Sequence, residues 1–377
     1  MQLVYLDNAS TSHPKSPVVV DAMADYLFSI GASPGRGGYG QARKSHELVD
    51  QVRRRTADLL GVARASNVAF SANATFALNT LIHGALVPGD HVVTTQAEHN
   101  SVLRPLEQRR RAGQSTYEVV RVGPDGRIDL EAFGRALEAG PRLVVVNHAS
   151  NVTGAVAPVV ELADRAHQAG ALFLLDVSQT LGHLPVAADE WGVDLVAFTG
   201  HKAIGGPSGT GGLFVRDPET VAPLLQGGTG SNSQSLTHPH GMPAKFEAGT
   251  VNYLGIAGLG AALAELDQPA EAGPSAADLR EECADRLRGL PRVRVVELDD
   301  RVDRVPVLSF TVDGFYPAEV AHLLEERVGV LVRSGLHCAP LIHESIGTDP
   351  QGTVRVSFGR STDKTAVDLV CAGIQSL

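Results

Sequence analysis

Three things are scarce in this 377-residue sequence, and each absence narrows its class. Cysteine occurs only at Cys283, Cys338 and Cys371, which is too scattered for a disulfide framework, so we expect reduced thiols. No apolar run approaches the roughly 20 residues that a membrane-spanning helix needs. The N-terminus also lacks the basic and then apolar pattern of a signal peptide. These absences predict a cytoplasmic protein without a membrane segment.

Positive charge is in deficit as well. The chain has 32 Lys and Arg residues against 42 Asp and Glu residues, a formal net charge of −10. Such an acidic chain is poorly suited to nucleic acid or to an anionic membrane surface. With 43% hydrophobic and 20% charged residues, the composition is that of a globular protein. The length of 377 residues suits one large domain together with a smaller one. We therefore expect chemistry on a small molecule.

The stretch from Leu172 to Gly212 carries the most informative pattern. Its first apolar run ends at Asp176, and Lys202 follows the second run just before a glycine-rich loop. Short runs separated by Gly and Pro suit buried parallel strands, whose C-terminal ends carry the site in an open α/β sheet. Asp176 and Lys202 should therefore face one crevice. Three more polar side chains crowd the same strand ends: Gln179, Thr199 and His201.

This pair of side chains predicts an aldehyde cofactor. A lysine held against apolar walls loses its proton easily and can form a Schiff base, and a carboxylate can keep a pyridine nitrogen protonated. Pyridoxal 5′-phosphate needs both groups, which Lys202 and Asp176 would supply. For an isolated pair, a surface lysine and a helix-capping aspartate would be the ordinary interpretation. The polar residues around this pair favour the cofactor.

A seat for the cofactor phosphate is predicted where a strand over 68–71 turns into a helix. Ala74 and Thr75 lie in this turn. The exposed N–H groups and partial positive charge of a helix N-terminus attract phosphate, and the Thr75 hydroxyl would add a further donor. A plain N-cap is the competing role for Thr75, and one residue can fill both.

Several motifs in order along the chain resemble one enzyme family. They are Tyr5-Leu6-Asp7-Asn8-Ala9, Phe246-Glu247-Ala248-Gly249-Thr250-Val251-Asn252 and Arg333-Ser334-Gly335-Leu336-His337-Cys338-Ala339. With the Lys202 stretch, they resemble the cysteine desulfurase and selenocysteine lyase branch of the class V aminotransferases, which are fold-type I PLP enzymes. The resemblance implies an α/β fold with a mainly parallel sheet flanked by helices. The short, polar and Pro-punctuated start of the chain predicts an N-terminal arm at 1–16 that joins the small domain or active site. The Pro-, Ala- and Gly-rich stretch at 268–275 predicts the boundary between a large PLP-binding domain at 17–267 and a small α+β C-terminal domain at 268–377.

The resemblance also assigns cofactor contacts. His99 would stack on the cofactor ring and move protons. Histidine is suited to moving protons because its ordinary pKa lies near neutrality. Asn151 would hydrogen-bond the phenolic oxygen, with Gln179 near the same edge. As alternatives, His99 would be structural, and both amides would satisfy turn backbone. Thr250 resembles the residue that reaches the neighbouring subunit's cofactor phosphate, which implies a homodimer.

Substrate contacts follow from the same resemblance. Asn8 and Ala9 of the arm would help to line the substrate pocket. Arg355 matches the family arginine that grips the substrate's α-carboxylate, for which the forked donors of a guanidinium are well suited. The alternative for Arg355 is an ordinary solvent-facing strand position.

Cys338 is the candidate nucleophile. It lies in a polar loop near Arg333 and His337, where a thiolate would be stabilised, whereas the other two cysteines suit buried helix positions. A metal site formed by His337, Cys338 and His343 is a second interpretation, but it lacks an obvious fourth ligand.

We therefore expect a PLP-dependent cysteine desulfurase that converts L-cysteine to L-alanine and leaves a persulfide on Cys338. Only seventeen positions separate Cys338 from Arg355, and in the resembled family a short segment accompanies an acceptor protein for the sulfur. L-Selenocysteine lyase activity, or another class V activity such as C–S lyase, epimerase or aminotransferase, is the alternative. A non-catalytic binding protein of the same fold is disfavoured because Lys202 and Asp176 are both present.

Overall fold

The computed structural model describes residues 3–34, 38–230, 234–268 and 273–377. Within them, the strands are β1 Val4–Tyr5, β2 Val68–Ser71, β3 Asp90–Thr95, β4 Ser115–Val120, β5 Leu143–Asn147, β6 Leu172–Asp176, β7 Leu195–Thr199, β8 Gly211–Val215, β9 Val293–Val295, β10 Val307–Val312, β11 Val330–Leu331, β12 Arg333–Gly335 and β13 Thr353–Ser357. The α-helices are α1 Pro17–Asp25, α2 Gly40–Leu60, α3 Ala74–Ala85, α4 Asn100–Arg111, α5 Leu130–Leu137, α6 Val159–Gln168, α7 Tyr253–Leu266, α8 Ala276–Arg288, α9 Pro317–Val328, α10 Pro340–Ser345 and α11 Lys364–Gln375. Among these helices, none is both long and apolar enough to cross a membrane.

A seven-stranded sheet forms the centre of the fold, with the strand order β2-β8-β7-β6-β5-β3-β4. The pairs β3–β4, β3–β5, β5–β6 and β6–β7 are parallel, and only β8 runs against its neighbours β7 and β2. The predicted α/β class with a mainly parallel sheet is confirmed. Because parallel strands end at one edge, Asn147, Asp176 and Thr199 lie at the same C-terminal edge of this sheet.

Apolar clusters cover both faces of this sheet. In β5, Val144 and Val146 pack into one cluster with residues of α2, α5, α6 and α7, whereas Leu143 and Val145 pack into another with α3 and α4. Burial on both faces explains why these strands are continuous apolar runs and not alternating ones. Each fully buried Leu, Val or Phe stabilises the folded chain by about 1.5–3 kcal/mol, so packing on both faces stabilises the sheet whose edge carries the polar residues.

The C-terminal part of the chain forms a second, antiparallel sheet with the order β12-β13-β10-β9. A separate apolar cluster joins this sheet to α8, α9 and α11. The N-terminal arm is attached here, since β1 pairs with β11 and Asp7 bridges to Ser357. The domain limits at 16/17 and 267/268 stay a prediction, and residues 1–2 of the arm and 269–272 of the second junction lie outside the described residues.

One ion pair closes the free edge of β2, the strand that leads into the predicted phosphate seat. Glu247 accepts a hydrogen bond from the Phe70 N–H at 2.7 Å, and Arg53 donates to the Val68 carbonyl at 2.7 Å. Arg53 and Glu247 also form a two-pronged contact at 2.7 and 3.1 Å. The pair therefore presents a donor and an acceptor to the edge, as a neighbouring strand would, and satisfies its unpaired backbone groups.

Candidate active site

A cavity of about 220 Å³ opens at the C-terminal edge of the large sheet, where the arm and the C-terminal sheet meet it. Most of the predicted site residues line it: Ala9, Ala74, Thr75, His99, Asn151, Asp176, Gln179, Thr199, His201, Lys202, Cys338 and Arg355. The lining also includes residues to which the sequence analysis gave no role in the site, among them Ser10, Ser101, Asn147 and Ser178. Arg333 and His337 line it beside Cys338.

Two predicted residues do not line this cavity. The Asn8 side chain is buried and donates to the Ser357 carbonyl at 3.0 Å, so it fastens the arm to β13. Thr250 is exposed and lies away from the cavity lining of this chain. Its predicted reach into a partner subunit stays a prediction.

Lys202 lies three residues beyond the end of β7 and shares the cavity with Asp176. Burial lowers the pKa of the Lys202 amine to about 8, the nearby Asp176 carboxylate acts in the opposite direction, and Arg355 and Arg333 lower it further. Asp176 is itself buried, and its Oδ1 accepts a hydrogen bond from the Ser178 N–H at 2.9 Å. The site thus holds an amine that releases its proton easily beside a fixed carboxylate.

Two helix N-termini meet on another side of the cavity. Asn73 caps α3 by accepting from the Phe76 N–H at 2.9 Å. The Thr75 hydroxyl lies 2.7 Å from the Ser101 hydroxyl, which joins the first turns of α3 and α4. Thr75 therefore has a partner other than its own helix backbone, and the cap is Asn73. Two helix N-termini with adjacent hydroxyls form a suitable anion seat.

His99 is the N-cap of α4, and its Nδ1 accepts from the Ser101 N–H at 3.0 Å. Burial, with the Lys202 charge as the next cause, lowers the pKa of His99 to about 4. The ordinary value near neutrality, used in the sequence analysis, does not apply because the ring is removed from water. The imidazole is neutral at pH 7, and since Nδ1 is an acceptor, the ring proton lies on Nε2.

Arg355 is 1% exposed, which excludes the solvent-facing alternative. Its Nη2 donates to Asp7 Oδ1 at 2.6 Å and to Ser10 Oγ at 2.9 Å, and its Nη1 donates to the Asn151 carbonyl at 3.0 Å. Burial lowers the pKa of this guanidinium, and the Asp7 carboxylate opposes that shift. Arg355 is therefore a buried, oriented cation at the cavity wall.

Cys338 lies in a tightly held turn between β12 and α10. His337 and Cys338 both have positive φ angles, of 50° and 60°, which is strained for residues other than glycine. The turn is held by the Asn100 N–H, which donates to the Cys338 carbonyl at 2.7 Å, and by Asn151 Nδ2, which donates to the His337 carbonyl at 2.6 Å. Arg333 Nη2 approaches Cys338 Sγ at 3.6 Å. The thiol is thus half-buried beside a cation, whereas Cys283 and Cys371 are buried.

Buried polar atoms without partners indicate that this cavity suits a polar ligand. Among the described residues, none hydrogen-bonds Asn151 Oδ1, His201 Nδ1 or Arg355 Nε. Such atoms cost about 1–3 kcal/mol each when they are left unsatisfied, so a ligand that supplies their partners would be favoured. The cavity also presents one group for each part of pyridoxal phosphate: an amine for the aldehyde, a carboxylate for the pyridine nitrogen and helix N-termini for the phosphate. The residues present therefore fit this cofactor.

A larger groove, of about 990 Å³, lies between α5 and α6. Its lining combines apolar residues such as Leu137 and Val160 with surface charges, two of which, Arg165 and Glu161, pair at 2.6 Å. It contains no lysine, cysteine or histidine. In the described part of the chain, no group of three or more His, Cys, Asp and Glu side chains is arranged to hold a metal ion. The smaller cavity is therefore the candidate active site.

Comparison with known proteins agrees with this geometry. The model of the family "Aminotransferase class-V" matches residues 4–370. The "Probable cysteine desulfurase 2" of Mycobacterium leprae is 34% identical over 99% of this chain and 91% of its own length. A "Probable cysteine desulfurase" of Methanothermobacter thermautotrophicus is 33% identical over 94% of this chain and 90% of its own length. The solved structure of a cysteine desulfurase from Thermococcus onnurineus superposes with a TM-score of 0.90 at 30% identity, covering 99% of this chain and 94% of that one. The family predicted from the motifs is confirmed: the chain belongs to the class V aminotransferases, where its similarity is to cysteine desulfurases.

Proposed function

We propose that this protein is a PLP-dependent cysteine desulfurase, which removes sulfur from L-cysteine, releases L-alanine and leaves a persulfide on Cys338. The observation that carries the proposal is that Lys202, Cys338 and Arg355 line one small cavity. An amine, a thiol and a carboxylate-binding cation within one cavity suit an amino acid whose side-chain sulfur is transferred. The names of the relatives support L-cysteine as that amino acid.

Pyridoxal phosphate would be held by residues on three sides of the cavity. Asp176 would face the ring nitrogen, and His99 would lie against the ring. The first turns of α3 and α4, with Ala74, Thr75 and Ser101, would bind the phosphate. Four further residues complete the proposed cofactor set: Asn151, Gln179, Thr199 and His201. Bound here, the cofactor would supply an aldehyde that joins the substrate's amino group and a ring that accepts the electron pair left at Cα.

Arg355 would bind the substrate carboxylate and thereby orient Cα. Lys202 Nζ would then remove the Cα proton. Its lowered pKa of about 8 suits this role, because an amine removed from water takes up and gives up a proton readily near neutral pH. Ala9 would close the substrate side of the cavity.

Cys338 would carry out the sulfur transfer. Its thiolate attacks the sulfur of the substrate, so that an S–S bond forms as the Cβ–S bond breaks. The electron pair of the broken bond stays with the substrate carbon, which takes up a proton. One cysteine plus one thiol thus gives alanine plus one persulfide, and no external oxidant is needed. Arg333 near Sγ would stabilise the attacking anion.

The test is to incubate purified protein with PLP and L-cysteine and to measure alanine release and protein persulfide. We expect Lys202→Ala to lose the absorbance of the lysine-bound cofactor and all alanine release. Cys338→Ala should keep the absorbance but form no persulfide, and the matched control Cys371→Ala should behave as wild type. Persulfide on the Cys338→Ala protein would contradict the proposal. Running L-selenocysteine and other amino acids in parallel distinguishes the alternative class V activities.

The assembly, the acceptor and the location belong to the same proposal. We propose a cytoplasmic homodimer in which Thr250 contributes to the partner's phosphate site, and a separate protein that accepts the sulfur. Sedimentation should give twice the mass of the chain, and Thr250→Ala should retain cofactor less tightly than wild type. A monomer with full cofactor retention would refute the role of Thr250.

A further inference from the structure

The hydroxyl of Ser10 joins three charged side chains at the cavity wall. Its Oγ lies 2.8 Å from Asp7 Oδ1, 2.9 Å from Arg355 Nη2 and 2.7 Å from Arg333 Nη1. Ser10 also lines the cavity. A single oxygen atom is thus shared by both guanidinium groups of the site and by the carboxylate that partly balances them.

The donor and acceptor roles around this oxygen follow from the chemistry of its neighbours. A guanidinium only donates, and an ionised carboxylate only accepts. The Ser10 O–H therefore donates to Asp7, and its two lone pairs accept from Arg355 and Arg333. Every hydrogen-bonding position of the hydroxyl is used, and no other orientation satisfies all three neighbours.

The two arginines need such a bridge because of their strand positions. Arg333 of β12 and Arg355 of β13 are directly opposite each other in the antiparallel register. Like charges in opposite positions repel, and Asp7 neutralises only one of the two. Without the Ser10 acceptor, Arg333 would lose the contact that keeps its guanidinium group near Cys338. Arg355 would keep its bonds to Asp7 and to the Asn151 carbonyl, but its guanidinium group would turn within the site because one of its partners is lost.

We propose that Ser10 is a positioning residue that holds Arg355 for the substrate carboxylate and Arg333 for the Cys338 sulfur. One arm residue would thereby couple substrate binding to thiol reactivity. The inference rests on the proposed function for the role of Arg355, but the contact between Arg333 and the thiol is independent of any substrate.

The experiment compares Ser10→Ala with wild type, with Ser10→Thr as the variant that restores the hydroxyl. Ser16→Ala is the matched control, because Ser16 lies on the same segment and makes no side-chain capping bond. Two properties are measured: KM and kcat for L-cysteine, and the rate at which iodoacetamide alkylates Cys338, followed by peptide mass spectrometry from pH 6 to 9.

For Ser10→Ala we expect a KM about tenfold higher, since hydrogen bonds to charged groups are lost, with a smaller change in kcat. Alkylation of Cys338 should be several times slower, because Arg333 no longer lies beside the attacking sulfur. Ser10→Thr should recover most of both effects, and Ser16→Ala should match wild type.

The proposal is overturned if Ser10→Ala leaves both KM and the alkylation profile unchanged. It is also overturned if Ser10→Thr is as impaired as Ser10→Ala, since the hydroxyl is then not the agent. Failure of the proposed function would look different: wild type would release no alanine from L-cysteine, and the alkylation profiles alone would still decide whether Ser10 positions Arg333.

Discussion

Glu98 is a carboxyl group buried beside the candidate active site, and no Lys or Arg side chain in the described part of the chain forms an ion pair with it. It is fully buried, and its Oε1 accepts from the Thr95 hydroxyl and from the Asn147 N–H, both at 2.9 Å. Its Oε2 is buried with no hydrogen-bond partner among the residues that the structure describes. Burial, and to a smaller degree the Asp176 charge, raises the pKa of Glu98 from 4.5 to about 8. Glu98 is therefore mainly protonated in the folded protein at pH 7.

The sign of the pH effect follows from this shift. Below pH 4.5, Glu98 is protonated in the folded and the unfolded chain, so it adds no pH dependence. Between pH 4.5 and 8, the folded chain holds a proton that the unfolded chain has lost, so the free energy of unfolding falls by about 1.4 kcal/mol per pH unit. The loss reaches about 3 kcal/mol at pH 7 and levels off above the folded pKa.

Glu98→Gln should remove this loss, because the amide keeps the acceptor oxygen and never ionises. The variant should match wild type near pH 4.5 and be more stable by about 3 kcal/mol at pH 7. If all 377 residues unfold together, the entropy of unfolding is about 0.8 kcal/mol/K. A gain of about 3 kcal/mol in the free energy of unfolding then raises Tm by roughly 4 °C. Scanning calorimetry of both proteins at pH 5, 6, 7 and 8 measures it.

Glu118→Gln is the control, since Glu118 is exposed on β4 and should show no growing difference. The reasoning is refuted if the gap in Tm between Glu98→Gln and wild type stays constant from pH 5 to 8. It is also refuted if the wild type becomes the more stable protein at pH 8, which would mean that Glu98 is ionised and paired.

Two further changes test the fold that carries the site. Glu247→Ala should destabilise the protein by about 3–5 kcal/mol, because it leaves Arg53 as a buried cation without its carboxylate. Thermal unfolding measures this change, and a decrease of less than about 1 kcal/mol in the free energy of unfolding would contradict the expectation. Gly212→Ala should cost about 1–3 kcal/mol, because an added Cβ would lie 2.4 Å from the Ala69 carbonyl oxygen. Gly241→Ala, where a Cβ meets nothing within 4 Å, is its control, and equal Tm values for the two glycine variants would refute the steric argument.

The sheet edge was predictable from the sequence because its signals are local. The apolar runs of β5, β6 and β7 are continuous, and each is followed at once by polar residues, so Asp176 and Lys202 had to meet if the strands were parallel. The motifs then made Cys338 and Arg355 candidates through the resemblance to the family, and both line the cavity. Neither kind of signal depends on contacts between distant segments.

The remaining features depend on such contacts. Ser10 and Arg333 are 323 positions apart, and the pairing of β12 with β13 that sets Arg333 against Arg355 has no signature in the sequence. The low pKa of His99 likewise results from burial and from Lys202, which only the folded chain brings near. Asn8 was expected at the substrate, but its side chain is engaged by the Ser357 carbonyl.

The arm contacts the active site at two separate points. Besides the Ser10 contacts, the carbonyl of His201, one residue before Lys202, accepts hydrogen bonds from the Ser12 N–H at 3.0 Å, the Thr11 hydroxyl at 3.1 Å and Lys15 Nζ at 2.7 Å. Burial lowers the pKa of Lys15 to about 8, so this cation is itself half removed from water. One part of the arm holds the backbone just before Lys202, and Ser10 holds the side chains of Arg355 and Arg333. The position of the arm therefore sets the distance between the Lys202 amine and the two guanidinium groups. The arm is therefore a structural part of the candidate active site, and any change that loosens it should disturb Lys202 and Arg355 together.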